Sequence, residues 1–92
     1  MGITNPIGGI IMDKTERESR ILRERRLELG LSQTEVALNA GLQLQHYQRY
    51  EYGDRKLSNS SMILGLRICS ILELDPYEFV FDESKDWIKK VR

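Results

Sequence analysis

The sequence predicts an all-α domain built as a bundle of five helices, and three observations carry that prediction. Capping signals mark two short helices on either side of Gly41, an apolar run of helical spacing follows residue 60, and a helix start stands at Asp75–Pro76. The chain has 92 residues, which is enough for one hydrophobic core but not for two.

The first helix is predicted over residues 13–29, with Asp13 or Thr15 as its N-cap. Its interleaved acidic and basic side chains are typical of a solvated face with ion pairs four residues apart. Arg26, however, shares a face with the apolar Leu22, so we expect this arginine to have an acidic partner.

Two further helices are predicted around a glycine turn. Ser32 and Glu35 form a capping box at the start of helix 2, and Gly41 supplies the left-handed residue that ends it. Helix 3 then runs for about ten residues and stops at Gly53. Two short helices joined in this way form the unit whose second helix enters the major groove of DNA.

Helix 3 has two chemically different faces at about 100° per residue. The face that can pack contains Tyr47, Tyr50 and Glu51. The other face carries no acidic group and contains Leu44, Gln45, Gln48, Arg49 and Tyr52. Glutamine can form two hydrogen bonds with adenine and arginine two with guanine, so this second face is suited to reading bases. The alternative is that these side chains merely solvate an exposed helix.

The last two helices form the C-terminal half of the domain. Helix 4 is predicted over residues 60–74, with its N-cap at one of residues 59–61. Apolar residues surround this helix so completely that we expect it to be covered on nearly every side. Asp75 as N-cap and Pro76 in the first position begin helix 5, which should turn Phe79 inward.

Residues 22–79 resemble the helix-turn-helix family of phage repressors and Cro proteins, the XRE type. The residues that carry the resemblance are Leu22, Arg26, Gly30-Leu-Ser-Gln33, Glu35-Val-Ala37, Gly41-Leu42, Tyr50-Glu51-x-Gly53 and the pattern Met62…Ile68-Cys69…Leu72…Leu74…Pro76…Phe79. The resemblance covers most of the chain. It implies a lambda-repressor-like bundle of five helices that binds operator DNA as a two-fold dimer.

The resemblance also assigns roles to individual residues. Gln33 matches the family glutamine that touches phosphate at the start of helix 2, and Arg26 and Glu51 match an ion pair between helix 1 and the end of helix 3. The base-reading positions are matched by Gln43, Leu44, Gln45, Gln48 and Arg49. Leu44 replaces a residue that is often polar there, so it either contacts a thymine methyl group or leaves that base unread.

The segment after helix 3 is polar and rich in turn residues. Its candidate phosphate contacts are Tyr52, Arg55, Lys56 and Ser58. The alternative is a loop whose polar side chains only keep it solvated.

The charge pattern limits the classes of function. Fourteen basic residues balance 14 acidic ones, so the formal charge is zero rather than the strongly basic value typical of a nucleic-acid binder. Residues 13–58 carry nine basic and eight acidic side chains, whereas residues 59–81 carry one and three. Non-specific affinity for DNA should therefore be modest, and specificity should depend on base contacts and dimerisation.

Catalytic and metal-binding patterns are missing from the sequence. The single histidine, His46, has no partners at metal-ligand spacing, and no phosphate-binding glycine loop occurs, so we predict no enzyme activity, cofactor or metal. We expect His46 to be partly buried, with a phosphate or base contact as the alternative.

The single cysteine, Cys69, lies in an apolar helical run and should be buried and inert. The sequence has no membrane span and no signal peptide, so we expect a cytoplasmic protein.

The helix-turn-helix domain is predicted to cover residues 13–81. Residues 1–12 are apolar but interrupted by proline and glycine, and they form either a frayed tail or an arm that packs on the bundle or on a partner. Residues 82–92 form a C-terminal extension.

These features predict a sequence-specific, repressor-like regulator of transcription that reads duplex DNA with helix 3 and forms a homodimer through its C-terminal half. The alternative is a protein-interaction module, antitoxin-like or co-activator-like, whose main partner is another protein. The neutral charge favours this alternative. DNA binding through phosphate contacts must weaken steeply with salt, whereas protein binding through apolar surface should not.

Overall fold

The computed structural model describes residues 14–81, which fold into five α-helices and one 3-10 turn, with no strand in this part of the chain. The elements are α1 (Lys14–Glu28), α2 (Gln33–Ala40), α3 (Leu44–Glu51), the 3-10 turn (Leu57–Asn59), α4 (Met62–Ile71) and α5 (Pro76–Phe81). The predicted all-α fold of five helices is therefore confirmed. None of these helices is long and apolar enough to cross a membrane. Of the two predicted N-caps of helix 1, Thr15 lies inside α1 and therefore does not cap it. Asp13, the N-terminal arm and the C-terminal extension lie outside the described residues.

The turn between α2 and α3 has the predicted capping chemistry. Ser32 Oγ accepts the backbone N–H of Glu35 at 3.0 Å, and Glu35 Oε1 accepts the backbone N–H of Ser32 at 2.8 Å. Gly41 ends α2 in the left-handed conformation, with φ +74°. The backbone N–H of Leu42 then donates to the carbonyl of Ala37 at 2.9 Å. These contacts satisfy both ends of α2 and fix the point where the chain turns into α3.

Helix α4 is shorter than the predicted 60–74 at both ends. It begins after Ser61, whose Oγ accepts the backbone N–H of Leu64 at 3.1 Å, because the preceding residues form the 3-10 turn. It ends near Glu73, which adopts φ +56°. The backbone N–H of Leu74 then donates to the carbonyl of Cys69 at 2.8 Å. A left-handed residue other than glycine ends this helix, which the residue types alone did not indicate.

The hydrophobic core lies where the helices meet. Helix α1 packs against α3 and α5, α2 packs against α3 and α4, and α4 packs against α5. The buried hydrophobic side chains are Leu22, Val36, Ala37, Ala40, Tyr47, Tyr50, Leu57, Ile68, Cys69, Leu72 and Phe79. The predictions that Cys69 and Phe79 lie inside are therefore confirmed. Burial raises the pKa of Cys69 to about 11, so its thiol stays protonated at neutral pH.

The first half of α4 departs from the prediction that this helix is covered on nearly every side. Met62, Ile63 and Leu66 expose 78%, 67% and 49% of their surface. These side chains stay largely exposed although both α2 and α5 pack against α4. The apolar composition of the helix predicted burial, but one small bundle does not supply it.

Three arginines stabilise the C-terminal ends of helices far from them in sequence. Each donates from its guanidinium to a backbone carbonyl of a helix end: Arg17 to Phe79 at 2.7 Å, Arg25 to Leu72 at 2.9 Å and Arg67 to Ala40 at 3.2 Å. The last carbonyls of a helix lack partners within the helix and carry partial negative charge, so a cation there is stabilising. Three of the 14 basic side chains are therefore used in contacts within the fold.

Candidate nucleic-acid interface

Helix α3 is anchored to the bundle by the face that the sequence predicts to pack. Tyr47 and Glu51 are completely buried, and Tyr50 is buried except for 4% of its surface. The predicted division of this helix into a packed and an outer face is thus confirmed for the packed face. Because α1 and α2 both contact α3, the outer face is held in a fixed direction relative to both helices.

The carboxylate of Glu51 is the centre of this anchor. Its Oε2 accepts from Arg26 Nε and from Tyr47 Oη, both at 2.5 Å. Its Oε1 accepts from Arg26 Nη2 at 3.2 Å and from Gln33 Nε2 at 3.0 Å. Four donors from three helices therefore surround one buried carboxylate, which uses its full capacity for hydrogen bonds. The structure brings Arg26 and Glu51 together, as the sequence analysis expected.

The electrostatics of this cluster favour an ionised Glu51. Burial by itself raises the pKa of Glu51, but the hydrogen bonds from Arg26, Tyr47 and Gln33 outweigh it and hold the pKa below the ordinary value. The hydrogen bond with Glu51 in turn raises the pKa of Arg26. Burial and the hydrogen bond to Glu51 raise the pKa of Tyr47, so its hydroxyl keeps its proton and acts as a donor.

The two glutamines Gln33 and Gln48 connect this cluster to the surface. Gln48 Nε2 donates to Gln33 Oε1 at 3.0 Å, and both side chains are only half-buried. Gln33 Nε2 also lies 3.5 Å from the hydroxyl of Tyr52, which is 60% exposed. Gln33, a predicted phosphate contact, and Gln48, a predicted base contact, are thus neighbours on one surface.

The remaining outer side chains of α3 face solvent. An open groove of about 360 Å³ is lined by Gln43, Gln45, His46, Arg49 and Arg55. Gln43, Gln45 and Arg49 are exposed, whereas Leu44 is half-buried. This groove contains amide and guanidinium groups and no carboxylate, a composition suited to the acceptor-rich edges of bases and to phosphate.

His46 lies at the edge of the same groove and is exposed, so the prediction of a partly buried histidine is wrong. Its Nε2 lies 3.2 Å from the hydroxyl of Tyr50, and the two rings stack with their centroids 5.5 Å apart. His46 lies one helical turn before Tyr50, and this contact with a buried ring leaves the histidine itself exposed.

The loop after α3 forms a second, polar cleft of about 480 Å³. Its backbone is tied to α3, because the N–H groups of Asp54 and Arg55 donate to the carbonyl of Arg49 at 2.9 and 3.2 Å. Lys56 lines this cleft together with Arg55. Ser58 follows at the start of the 3-10 turn, where its backbone N–H donates to Glu18 Oε1 at 3.2 Å. The candidate phosphate contacts therefore stand on a loop that is held at both ends.

Three features of this site were missed by the sequence reasoning. The bond between Tyr47 and Glu51 had a usable signal, because residues four apart on a helix face each other. The bond between Gln33 and Gln48 had none, since it joins two helices and depends on their packing. Glu18, which holds the far end of the loop, reads in sequence as one of many solvated charges of α1.

Among the described residues, no three histidine, cysteine or acidic side chains come together as a metal site requires. No curated protein matches the sequence. The family model described as helix-turn-helix matches residues 22–79, which is more than half of the chain and includes α2, α3 and the turn between them. The protein therefore belongs to the DNA-binding helix-turn-helix family of the XRE and lambda-repressor type.

Proposed function

We propose that the protein is a non-catalytic, repressor-like regulator of transcription that recognises a specific duplex sequence. The observation that carries the proposal is the division of α3 into two sides. One side is locked to α1 and α2 through Glu51, and the other presents Gln43, Gln45 and Arg49 to one open groove. A rigidly held helix with free amide and guanidinium groups suits readout in the major groove.

In this proposal the bases are read by the five residues that the resemblance assigns, namely Gln43, Leu44, Gln45, Gln48 and Arg49. The exposed Gln45 and Arg49 make the contacts with the largest effect, since each can form two hydrogen bonds with one base. Leu44 contributes at most an apolar contact, because its half-buried side chain has no polar atom. Phosphates are held by Gln33, Tyr52, Arg55, Lys56 and Ser58, which lie on α2, at the end of α3 and on the loop after it.

Selection of binding sites from random duplexes tests the proposal. We expect the parent protein to enrich one short motif. Gln45→Ala or Arg49→Ala should relax the preference at one base pair each and cost about 1–3 kcal/mol of binding free energy. Lys56→Ala is the control, because losing a phosphate contact should weaken binding to all sequences alike and reduce the salt dependence by about one counterion. Unchanged preference in both α3 variants would show that this face does not read DNA.

The exposed side of α4 supports a further element of the proposal, a homodimer formed through the C-terminal half. Met62, Ile63 and Leu66 form a contiguous apolar stretch of one helix, and Tyr77 and Phe81 on α5 are also about half exposed. Apolar surface of this kind marks association sites, and two-fold dimers are the commonest result. A dimer would also place two α3 helices about 34 Å apart, one turn of DNA.

Sedimentation at micromolar concentration tests the dimer. We expect Leu66→Glu to convert the dimer to a monomer, while Leu38→Glu, a matched change at an exposed leucine of α2, leaves it intact. A parent protein that is monomeric and binds a half-site as tightly as a palindrome would exclude this dimer. A salt titration tests the alternative function. If the affinity for duplex DNA does not fall with salt, a protein-interaction module is the better interpretation, and the exposed surface of α4 would then bind the partner protein.

A further inference from the structure

The open groove on α3 contains one side chain of a type that changes its charge near neutral pH, the histidine His46. Histidine ordinarily gains or loses a proton between pH 5 and 8, whereas arginine stays charged. Arg49 and Arg55 line the same groove, and no carboxylate does. Asp54 lines the cleft of the following loop instead, and Glu51 lies on the packed face of α3. Among the described residues, α1 and α2 contribute no charged side chain to the lining of this groove.

The ring of His46 is held by one of its nitrogens. Nε2 lies 3.2 Å from the hydroxyl of Tyr50, and the two rings stack. Burial raises the pKa of Tyr50 against the opposing charge of Arg55, so the hydroxyl keeps its proton at neutral pH. A hydroxyl can donate to the Nε2 of a neutral ring or accept from the Nε2 of an imidazolium. The ring can therefore take up a proton without losing this contact, and Nδ1 makes no hydrogen bond within residues 14–81.

The position of His46 on the helix favours a phosphate contact over a base contact. At about 100° per residue, His46 lies about 100° around α3 from Gln45, between Arg49 and Tyr50. Its hydrogen-bond partner Tyr50 lines the polar cleft of the loop after α3, which contains the candidate phosphate contacts. Arg55 lines both this cleft and the groove on α3. His46 therefore lies on the flank of α3 where the base-reading groove adjoins the phosphate-binding cleft.

We propose that His46 binds a DNA phosphate through Nδ1 as the imidazolium, so that association with duplex DNA takes up a proton. This role of His46 rests on the proposed function, because it requires DNA to approach α3. A phosphate oxygen only accepts hydrogen bonds and carries negative charge, which favours the charged form of the ring. The neutral ring can donate one hydrogen bond from Nδ1 but lacks the charge. Because the complex then holds more protons than the free protein, the affinity for DNA should rise as the pH falls.

Proton uptake is tested by fluorescence anisotropy with a duplex enriched by site selection, at fixed ionic strength between about pH 5.5 and 8. Glu51 stays ionised in this range, and the pKa of Cys69, raised to about 11, keeps its thiol protonated. We expect the parent to bind about 5-fold more tightly at the lower pH, with a slope below the limit of about tenfold per pH unit for one proton. His46→Gln can form hydrogen bonds but cannot titrate, so its affinity should not depend on pH. His46→Arg carries a permanent charge and should keep the tighter binding at pH 8.

The salt dependence of binding separates a phosphate contact from a base contact. Each neutralised phosphate adds about one unit to the slope of log affinity against log salt, so the parent should show a steeper slope at the lower pH. This steepening should occur on the selected duplex and on a scrambled duplex of the same length. Lys56→Ala is the matched control, because it should weaken binding at both pH values and leave the pH dependence in place.

Two results would overturn the phosphate contact of His46. One is a pH dependence in His46→Gln equal to that of the parent, and the other is a pH dependence confined to the selected duplex. Duplex binding by the parent that does not change with pH would overturn the proton uptake and leave the proposed function intact. A parent that binds no duplex at any pH would overturn the proposed function itself.

Discussion

Two glutamates of this domain are almost completely buried, and their surroundings differ. Glu51 on α3 is 0% exposed and accepts hydrogen bonds from Arg26, Tyr47 and Gln33. Glu18 on α1 is 1% exposed, and its Oε1 accepts only the backbone N–H of Ser58. No donor in the described part of the chain reaches Glu18 Oε2. Among residues 14–81, Glu51 has a cation and a full set of donors, whereas Glu18 has neither.

The difference shows that burial alone does not determine whether a charged side chain stabilises or destabilises the folded domain. Removing a partner from a fully bonded buried ion pair leaves the other charge stranded, which is strongly destabilising. A buried carboxylate oxygen without a hydrogen-bond partner destabilises the native state. Replacing that carboxylate by a neutral group should therefore remove part of the destabilisation. The two glutamates should therefore respond in opposite ways to loss of charge.

The largest effect is expected at the ion pair. Arg26→Ala leaves a completely buried carboxylate without its cation and should cost about 3–5 kcal/mol of unfolding free energy. Since small domains are stable by only about 5–15 kcal/mol, the variant should approach unfolding at room temperature. Thermal and denaturant melts measure the loss. Glu28→Ala provides the control, because Glu28 forms an exposed pair with Arg25 at 3.0 Å and should contribute less than about 1 kcal/mol.

A double variant makes this prediction sharper. If the pair acts as a unit, Arg26→Ala combined with Glu51→Ala should be much less destabilised than the sum of the single changes. Additive losses would mean that the two side chains stabilise the fold separately and that the pair is not the central anchor of α3.

An intermediate effect is expected from pH. The native pKa of Glu51 lies below the ordinary value of 4.5, so the unfolded chain binds this proton first as the pH falls. The stabilisation is therefore complete above about pH 4.5 and is lost as the pH falls through the native pKa. Melting temperatures of the parent and of Glu51→Gln should differ by a constant amount near neutral pH and converge in acid. Parallel curves down to pH 3 would contradict this assignment.

The smallest effect is expected at the other glutamate. Glu18→Gln keeps an oxygen for the backbone N–H of Ser58 and removes a buried charge that has no cation among the described residues. We expect the unfolding free energy to stay within about 1 kcal/mol of the parent value or to rise. A loss as large as that of Glu51→Gln would show that Glu18 has a strong partner beyond residues 14–81, and the comparison would fail.

The parts of the fold that the sequence predicted correctly are those with local causes. The capping box of Ser32 and Glu35, the left-handed Gly41 and the packed face of α3 all follow from residues within one or two helical turns of each other. Local hydrogen-bond chemistry and the 3.6-residue period are sufficient to predict such features. The pairing of Arg26 with Glu51 was expected only because an apolar face made an unpartnered arginine improbable and a family pattern supplied the glutamate.

The features that were not predicted depend on packing between distant segments. Arg17 donates to a carbonyl 62 residues away, and the Gln33–Gln48 bond requires the crossing of α2 and α3. Nothing in the local sequence distinguishes these side chains from solvated ones. The exposed side of α4 was predicted to be buried and is not. The apolar composition of a helix indicates that burial would be favourable, but it does not show whether the rest of the chain can cover the helix.

The arginine contacts at the helix ends also bear on the order in which the domain folds. The contact of Arg17 with Phe79 closes a loop of 62 residues, whereas the Arg26–Glu51 pair closes one of 25. Closing the longer loop costs about 0.8 kcal/mol more chain entropy, so the three-helix unit around Glu51 has the lower barrier to assembly. The docking of α5 on α1 is then expected late in folding, and changes at Arg17 should accelerate unfolding without slowing folding. In the native protein, the two ends of the domain would accordingly separate before α3 loosens.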